Sequence, residues 1–491
     1  MKLIGKIMLL TLVLPLLGTA QNEVDALRYS RTFIGGTARF MAMGGAFGSL
    51  GADFSTASTN PAGIGLYSRS EISITPALFI GRTKSDFTGI ESIDTKSNFN
   101  LSNVGIVITS PRRTNESSVM KSYQFAFGMN RSNNFNNRVL MEGFNDRNSI
   151  LDTYVDFADG IYFGDIEDDN NGDYAYDLNP AWYTYMIDTL PGSVDRYYGA
   201  VPPGSTLLQR KEIESWGSMN EMVFALSANF SDRVYLGASF GFPFLRYFEE
   251  SYYSEIDQNN EISDFNMLRI YEKLSTHGTG FNIKFGTIVR VTDYLRVGAA
   301  IHSPTWFNNM TDEWSSTYST SFDNGDRYSE STPFGNYDYQ LETPLKVLGS
   351  ISGIIANMAL ISAEYEFTDY SKSRFRSPGY SYFDENNTIK TIYKKAHAIR
   401  VGGEIRSGHF SVRAGGGYYT SPFSDNINEG DRFFFSGGLG YRDKAFFADL
   451  AYVQTGSKED YYLYGSENVA VDPVQNKFST YNLMLSFGLR F

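Results

Sequence analysis

Tyr481-Asn-Leu-Met-Leu-Ser-Phe-Gly-Leu-Arg-Phe491 is the stretch on which the fold turns. Successive side chains of a strand point to opposite faces, so Tyr481, Leu483, Leu485, Phe487, Leu489 and Phe491 share one face. Asn482, Ser486, Gly488 and Arg490 share the other, with Met484 among them. One face is apolar and the other mostly small and polar. That periodicity fits a strand set against lipid, and equally the edge strand of a soluble sandwich. The remainder of the chain has to choose between them.

At the opposite end, Lys2 and Lys6 precede an apolar run, Ile7 to Leu17, interrupted only by Thr11 and Pro15 and followed by Gly18-Thr19-Ala20. A charged start, a short apolar core and a small-residue cleavage site predict a signal peptide over 1–20, with a mature chain from Gln21. The run is too short for a stop-transfer helix. No cysteine follows the site, which excludes a lipoprotein anchor.

The chain has 491 residues and no cysteine, so disulfides and thiolate metal sites are impossible. Tyr (34) and Phe (38) are abundant, yet no segment after residue 20 offers the long apolar run of a transmembrane helix. A barrel accommodates both facts, because its lipid-facing residues alternate and its interfaces carry aromatic girdles. The net charge of -13 argues against a nucleic-acid partner, which would need clustered Lys and Arg.

Alternating segments recur from about residue 70 onward. Val234, Leu236, Ala238, Phe240 and Phe242 form one such face; Phe281, Ile283, Phe285, Thr287 and Val289 form another. About fourteen segments of membrane-strand length are expected. They begin near Ser70, Phe99, Lys121, Ser218, Arg233, His277, Tyr294, Leu341, Met358, Ala396, His409, Arg432, Ala445 and Phe478. Short turns at 230–233, 290–293, 355–357, 406–408 and 441–444 alternate with long polar loops at 132–216, 251–275, 306–336, 370–390, 419–430 and 456–477. Short turns on one side and long loops on the other are the pattern of an outer-membrane barrel, and a sandwich has no reason to keep it. The expected fold is therefore all-β, a transmembrane barrel of about 14 antiparallel strands spanning 70–491, with a large extracellular loop at 132–216. The closing strand resembles the one that the outer-membrane assembly machinery reads, with Phe491 last.

Charged residues occupy one face of these strands: Lys284, Arg290, Glu364, Glu366, Arg400, Glu404, Arg413 and Asp449. In lipid such groups cost several kcal/mol, so they point into the lumen. They either brace a plugged interior as ion pairs or line a permeation path.

Residues 21–69 do not alternate. They read as turns and short helices around Arg39-Phe-Met-Ala-Met-Gly-Gly-Ala-Phe47, Asp53 and Asn60-Pro-Ala-Gly63. This pattern resembles the N-terminal hatch of the FadL/TodX family of outer-membrane transporters, and Asn60-Pro61-Ala62 matches the hatch tripeptide residue for residue. Gly241-Phe-Pro243-Phe, His302-Ser303-Pro304, Gly402-Gly-Glu-Ile-Arg406, Arg413-Ala-Gly415, Ser421-Pro422 and Gly438-Leu-Gly-Tyr-Arg442 resemble strand motifs of the same family, in family order. The resemblance implies a fourteen-stranded monomeric barrel in the bacterial outer membrane, closed by a hatch (plug) over 21–69. It implies passive, hatch-gated transport of hydrophobic small molecules, notably long-chain fatty acids, which leave sideways into outer-membrane lipid. It implies no cofactor and no catalysis.

Asn60, Pro61 and Ala62 are then candidate hatch residues, and Phe33, Phe40, Met43, Phe47 and Phe54 candidate substrate contacts. A structural Asn-Pro turn and packing of the segment on the wall explain the same residues. The acidic loop 165–177 has the oxygen density of a calcium site but lacks the EF-hand spacing, so no metal site is assigned. The four histidines lack metal-ligand spacing, and His302 and Ser303 point to opposite faces of a strand, which speaks against a hydrolase. A porin-like channel, or a structural surface barrel without a hydrophobic substrate, is the alternative function.

Overall fold

The structure is a computed structural model that describes residues 23–33, 35–110, 118–169, 171–355, 358–425, 427–466 and 468–491. The signal peptide expected over 1–20 lies outside the described residues, as do positions 356 and 357 of the expected turn at 355–357.

Residues 23–69 run inside the ring of strands as α1 (Glu23–Ser30), α2 (Ala38–Ala42), α3 (Thr56–Thr59) and a 3₁₀ segment, Pro61–Leu66. Thr37 starts α2, its hydroxyl accepting from the Phe40 amide at 3.2 Å. Pro61 is tolerated at the head of the 3₁₀ segment, where its missing N–H costs nothing, and Asn60 caps it by accepting from the Ala62 amide at 3.2 Å.

Around this segment, 14 antiparallel strands close into one barrel. They are β1 (Glu71–Phe87), β2 (Ile90–Thr109), β3 (Met120–Asn134, resumed at Asn137–Asn145), β4 (Leu207–Phe230), β5 (Val234–Ile256) and β6 (Phe265–Arg290). Then come β7 (Leu295–His302, resumed at Trp306–Phe322), β8 (Arg327–Ser331, Gly335–Glu342 and Lys346–Ile355) and β9 (Ala359–Asp369, resumed at Arg374–Arg376). The ring ends with β10 (Lys395–Ser407), β11 (Phe410–Tyr419), β12 (Arg432–Arg442), β13 (Phe446–Tyr461) and β14 (Val474–Arg490). Closure comes from β14 pairing with β1, Arg490 opposite Glu71 and Leu483 opposite Leu78.

The alternation of the closing strand is realised in three dimensions. Leu483, Leu485, Phe487 and Leu489 are exposed on the outer surface, whereas Met484 and Ser486 are fully buried. Across the seam, Ile72, Ile74 and Leu78 of β1 continue the same outward apolar band. No helix among the described residues is long and apolar enough to cross a membrane.

All fourteen expected starting points fall within or beside a strand, but several strands run longer than expected. β2 starts at Ile90 and β4 at Leu207, and the stretches 251–275 and 306–336, expected as loops, are largely strand. At the long-loop end the hairpins rise beyond the apolar band, with the outer face exposed and inner residues such as Phe265, Leu268 and Ile270 packed under the loop helices. The outward apolar stripe therefore ceases while pairing continues. Ion pairs and stacked rings carry it there: Arg138 with Glu214 at 2.7 Å, Lys84 with Glu91 at 2.6 Å, and Tyr252 on Tyr271 at 4.3 Å between centroids.

Within 132–216, the part that is not strand folds as α4 (Ile150–Ala158), α5 (Phe163–Glu167) and α6 (Leu178–Tyr183) over the barrel mouth. α4 begins in a capping box of Ser149 and Asp152. The Glu255 carboxylate of β5 accepts from the Ile150 amide at 2.8 Å and ties this cap to the wall. Leu151, Tyr154, Ile166 and Leu178 are buried in one apolar cluster beneath the cap. In the acidic run 165–177, Asp177 accepts from the Leu178 amide at 2.5 Å and starts α6. Among the described residues no three carboxylate or histidine side chains converge as a metal site.

Candidate functional site

The N-terminal segment is seated on the wall at several points around the ring. The Asn60 amide donates to Gly48 O at 2.6 Å and to Thr287 O of β6 at 3.2 Å. Glycines in the strands leave room for it: a Cβ on Gly286 would lie 1.9 Å from Asn60 Oδ1, and one on Gly402 would lie 2.1 Å from Met43 O. His302 Nε2 lies 2.6 Å from Thr59 O, and the Gly48 amide donates to Glu364 at 2.6 Å. Arg39 donates to Glu404 at 3.1 Å, and Glu404 also accepts from Arg413, which reaches Asp449 at 2.6 Å. Several wall motifs quoted above, those at 302, 402–406, 413–415 and 438, thus meet the N-terminal segment or the charges that hold it.

The charged strand residues Lys284, Glu364, Glu366 and Arg400 are joined in ion pairs. Arg400 donates to both Glu364 and Glu366 at 2.7 Å, and Lys284 pairs with Glu221. Buried pairs of this kind fix geometry more than they add stability.

The expected site residues separate into two groups. Asn60, Pro61 and Ala62 sit at the wall contact with β5 and β6. Phe40, Met43 and Phe47 are fully buried in a cluster with Met484 and Phe434, and Phe54 presses on Gly105 and Gly128. Of the eight, Phe33 lines a cavity of about 400 Å³ between the segment and the long-loop end. Its other walls include Met41, Phe79, Phe135, Tyr419, Phe434 and Phe478. A smaller cavity of about 120 Å³, with Lys284, His302 and Glu366 on its walls, shares Phe33 and Arg131 with the first.

Four arginines, Arg28, Arg82, Arg131 and Arg432, and the carboxylate of Glu459 line this space. Arg432 lies 3.6 Å from the centroid of the Phe33 ring, and Arg131 donates to Leu101 O at 3.4 Å. Neither lies within ion-pair distance of a carboxylate among the described residues.

Beside the same cavity the wall is incomplete. β1 and β2 pair over their whole lengths, from Glu71 opposite Val107 to Phe87 opposite Ile90. β2 meets β3 only from Asn103 to Thr109, so no ladder joins residues 90–102 to β3 among the described residues. The cause is a bend in β3 at Phe135-Asn136, after which the strand runs along the inner side of the β1–β2 hairpin. Thr83 there donates to the Asn137 side chain at 3.1 Å, and Phe135 packs edge-on against Tyr247. Phe99, 75% exposed, stands on β2 at the break.

The closed fourteen-strand ring superposes on solved structures over nearly the whole chain. A FadL homologue of Pseudomonas aeruginosa superposes with a TM-score of 0.54 at 14% identity, over 94% of this chain and 99% of that one. The fold is that of the FadL and TodX channels. The Ralstonia pickettii toluene transporter TbuX matches at 0.52 and 15% identity (93% and 99% covered), and the P. putida toluene transporter TodX at 0.53 and 12% (93% and 99%). No protein-family model and no curated protein matches the sequence. This FadL-type barrel therefore shares its architecture with these solved structures across very low identity.

Sequence reading missed Arg131, Arg432 and the bend at Phe135. The signal was present in Asn133-Asn-Phe-Asn-Asn137, which interrupts two alternating stretches but was read as the beginning of a loop.

Proposed function

We propose that this FadL-type barrel is a passive outer-membrane transporter of hydrophobic small molecules, with long-chain fatty acids as substrates. The observation that carries the reading is the aromatic cavity with the unpaired guanidiniums of Arg131 and Arg432, placed beside the break between β2 and β3. Aromatic walls bind an acyl chain at about 0.8 kcal/mol per buried methylene. A carboxylate head group answers the two guanidiniums, which form charge-assisted hydrogen bonds to it. The break then lets the chain leave sideways into lipid without crossing water. Residues 21–69 act as the hatch: they are seated by short polar contacts and packing, and a shift of Phe33 would connect the upper cavity to the lower one.

The rest of the reading follows from this barrel. The short-turn end faces the periplasm, the exposed Phe491 closes a strand offered to the assembly machinery, and the barrel works as a monomer without cofactor or catalytic step. The segment occupies the cross-section between opposite walls, which supports a gated path over an open porin.

The test is uptake of labelled oleate in a diderm host lacking its own fatty-acid transporter, with deletion of residues 33–64 as comparison. Saturable uptake by the full protein, replaced by non-selective leakage in the deletion, supports the reading. A folded, surface-exposed barrel that takes up no oleate refutes it and turns attention to monoaromatic compounds, the cargo named for TbuX and TodX.

A further inference from the structure

At the short-turn mouth, on the far side of the N-terminal segment from the aromatic cavity, lies a second large space of about 550 Å³. Seven of its lining side chains are cationic and two are carboxylates. The whole chain carries a net charge of -13, so this excess of positive charge is local and opposes the general balance. Arg39 comes from the N-terminal segment, while Arg296, Arg406, Arg442 and Arg490 come from β7, β10, β12 and β14.

Of the two lining carboxylates, Asp443 stands at the rim 3.9 Å from His409, and the inner one, with Glu71 beside the basin, is already engaged. Glu404 serves Arg39, Arg406 and Arg413 together, and Glu71 holds Arg490 at 2.9 Å. Arg442 comes no nearer than 3.9 Å to Asp449, and Arg296 is held by a neutral group, Leu50 O, at 3.1 Å. The Nε atoms of both Arg296 and Arg442 are buried without a hydrogen-bond partner. Guanidiniums brought together with donors unspent are costly unless an anion accepts from them.

We propose that this basin is a binding site for a phosphate group, which bridges Arg39 of the N-terminal segment to Arg296 and Arg442 of the wall. Several planar forks converging on one space suit the tetrahedral oxyanion, which offers more acceptor positions than a halide or a single carboxylate. The phosphate comes either as free inorganic phosphate or as the head group of a phospholipid at the rim, the second source resting on the outer-membrane reading. Either one ties the segment to the wall at the end opposite the substrate cavity.

The experiment uses the full-length protein in phospholipid-free maltoside micelles at low salt. Inorganic phosphate and dihexanoyl phosphatidylglycerol are titrated separately and followed by calorimetry and ³¹P line width. Saturable binding that weakens at least tenfold in the Arg296→Gln/Arg442→Gln double variant supports the site. Tighter binding of the lipid assigns the head group as source, and equal or tighter binding of inorganic phosphate assigns the free ion. No saturable binding of either probe overturns the proposal, and so does binding that the double variant leaves unchanged. Folding is checked by heat-modifiable gel mobility. If the double variant fails to fold, Arg442→Lys keeps the charge and removes the fork: binding weakened at least threefold supports the site, and unaltered binding counts against it. No oleate is involved, so a negative result here is separable from failure of the transport reading.

Discussion

Asn60 and Gly286 are fitted to one another. The Asn60 side chain lies so close to the β6 backbone that a methyl group on Gly286 would stand 1.9 Å from its Oδ1. The same side chain donates to Gly48 O and Thr287 O and caps Pro61–Leu66. Gly286→Ala should therefore lift the segment at this point, with an overpacking cost of about 1–3 kcal/mol. The expected result is a barrel of normal heat-modifiable mobility with raised single-channel conductance in planar bilayers. Conductance equal to that of the parent would show that this contact does not hold the segment in place.

Arg131 and Arg432 are expected to bind the head group. Arg131→Ala and Arg432→Ala should each weaken oleate binding about tenfold, as expected for loss of one charge-assisted hydrogen bond. Binding of an uncharged probe such as toluene should change little. Equal loss of both ligands in a binding titration would instead mean that the substitutions disturb the cavity as a whole.

Phe99 offers a handle on the break in the wall, because the chain has no cysteine of its own. A Phe99→Cys variant modified with a bulky, lipid-soluble maleimide should take up oleate several-fold more slowly. The same label at Phe410→Cys, also exposed but on a strand with both neighbours paired, should have little effect. Unchanged uptake in both would place the exit elsewhere.

Glu404 holds three guanidiniums, those of Arg39, Arg406 and Arg413, inside the barrel. Glu404→Gln leaves them facing one another without their shared carboxylate. Breaking a buried pair in this way costs about 3–5 kcal/mol. The temperature at which the barrel loses its compact gel mobility should fall accordingly, and a variant as heat-resistant as the parent would contradict this account.

Glu23, at the start of α1, has its carboxyl pushed up to about 7 by burial, with Asp25 and Glu385 adding to the effect. An acid whose folded value is raised binds more protons folded than unfolded between its ordinary value and about 7. Its contribution to stability is therefore largest at low pH and is lost as pH rises through that window. The hydrogen-exchange protection factors of residues 23–30, corrected for the intrinsic pH dependence of amide exchange, should fall between about pH 5 and 7.5, and Glu23→Gln should remove that fall. Tyr393, which donates to Glu23 O at 2.9 Å beside the helix Phe383–Ile392, should report the same loosening.

The strands were legible because lipid imposes a simple rule on them. Wherever one face of a strand meets hydrocarbon and the other the lumen, apolar and polar residues must alternate, as from Leu483 to Leu489. The rule lapses at the long-loop end, so the second strand's start is expected near Phe99 although it pairs from Ile90, and Leu207–Trp216 falls in an expected loop although it is paired strand. The non-alternating character of residues 23–69 and the tripeptide at Asn60 likewise set that segment apart from the wall.

Other relationships exist only once the ring has closed. Gly286 against Asn60, and Gly402 against Met43, join residues hundreds of positions apart, and no local pattern marks either glycine for its partner. Phe33 and Arg432 meet over 3.6 Å because α1 and α2 lead the chain across the lumen. Which arginines share a carboxylate and which are left without one depends on barrel register, as with Glu404 opposite Arg413. Alternation is a one-dimensional consequence of the medium on either side of a strand, so sequence alone carries it. The cavity, the break beside it and the cationic basin depend on which strands become neighbours and where β3 bends, and only the closed barrel decides that.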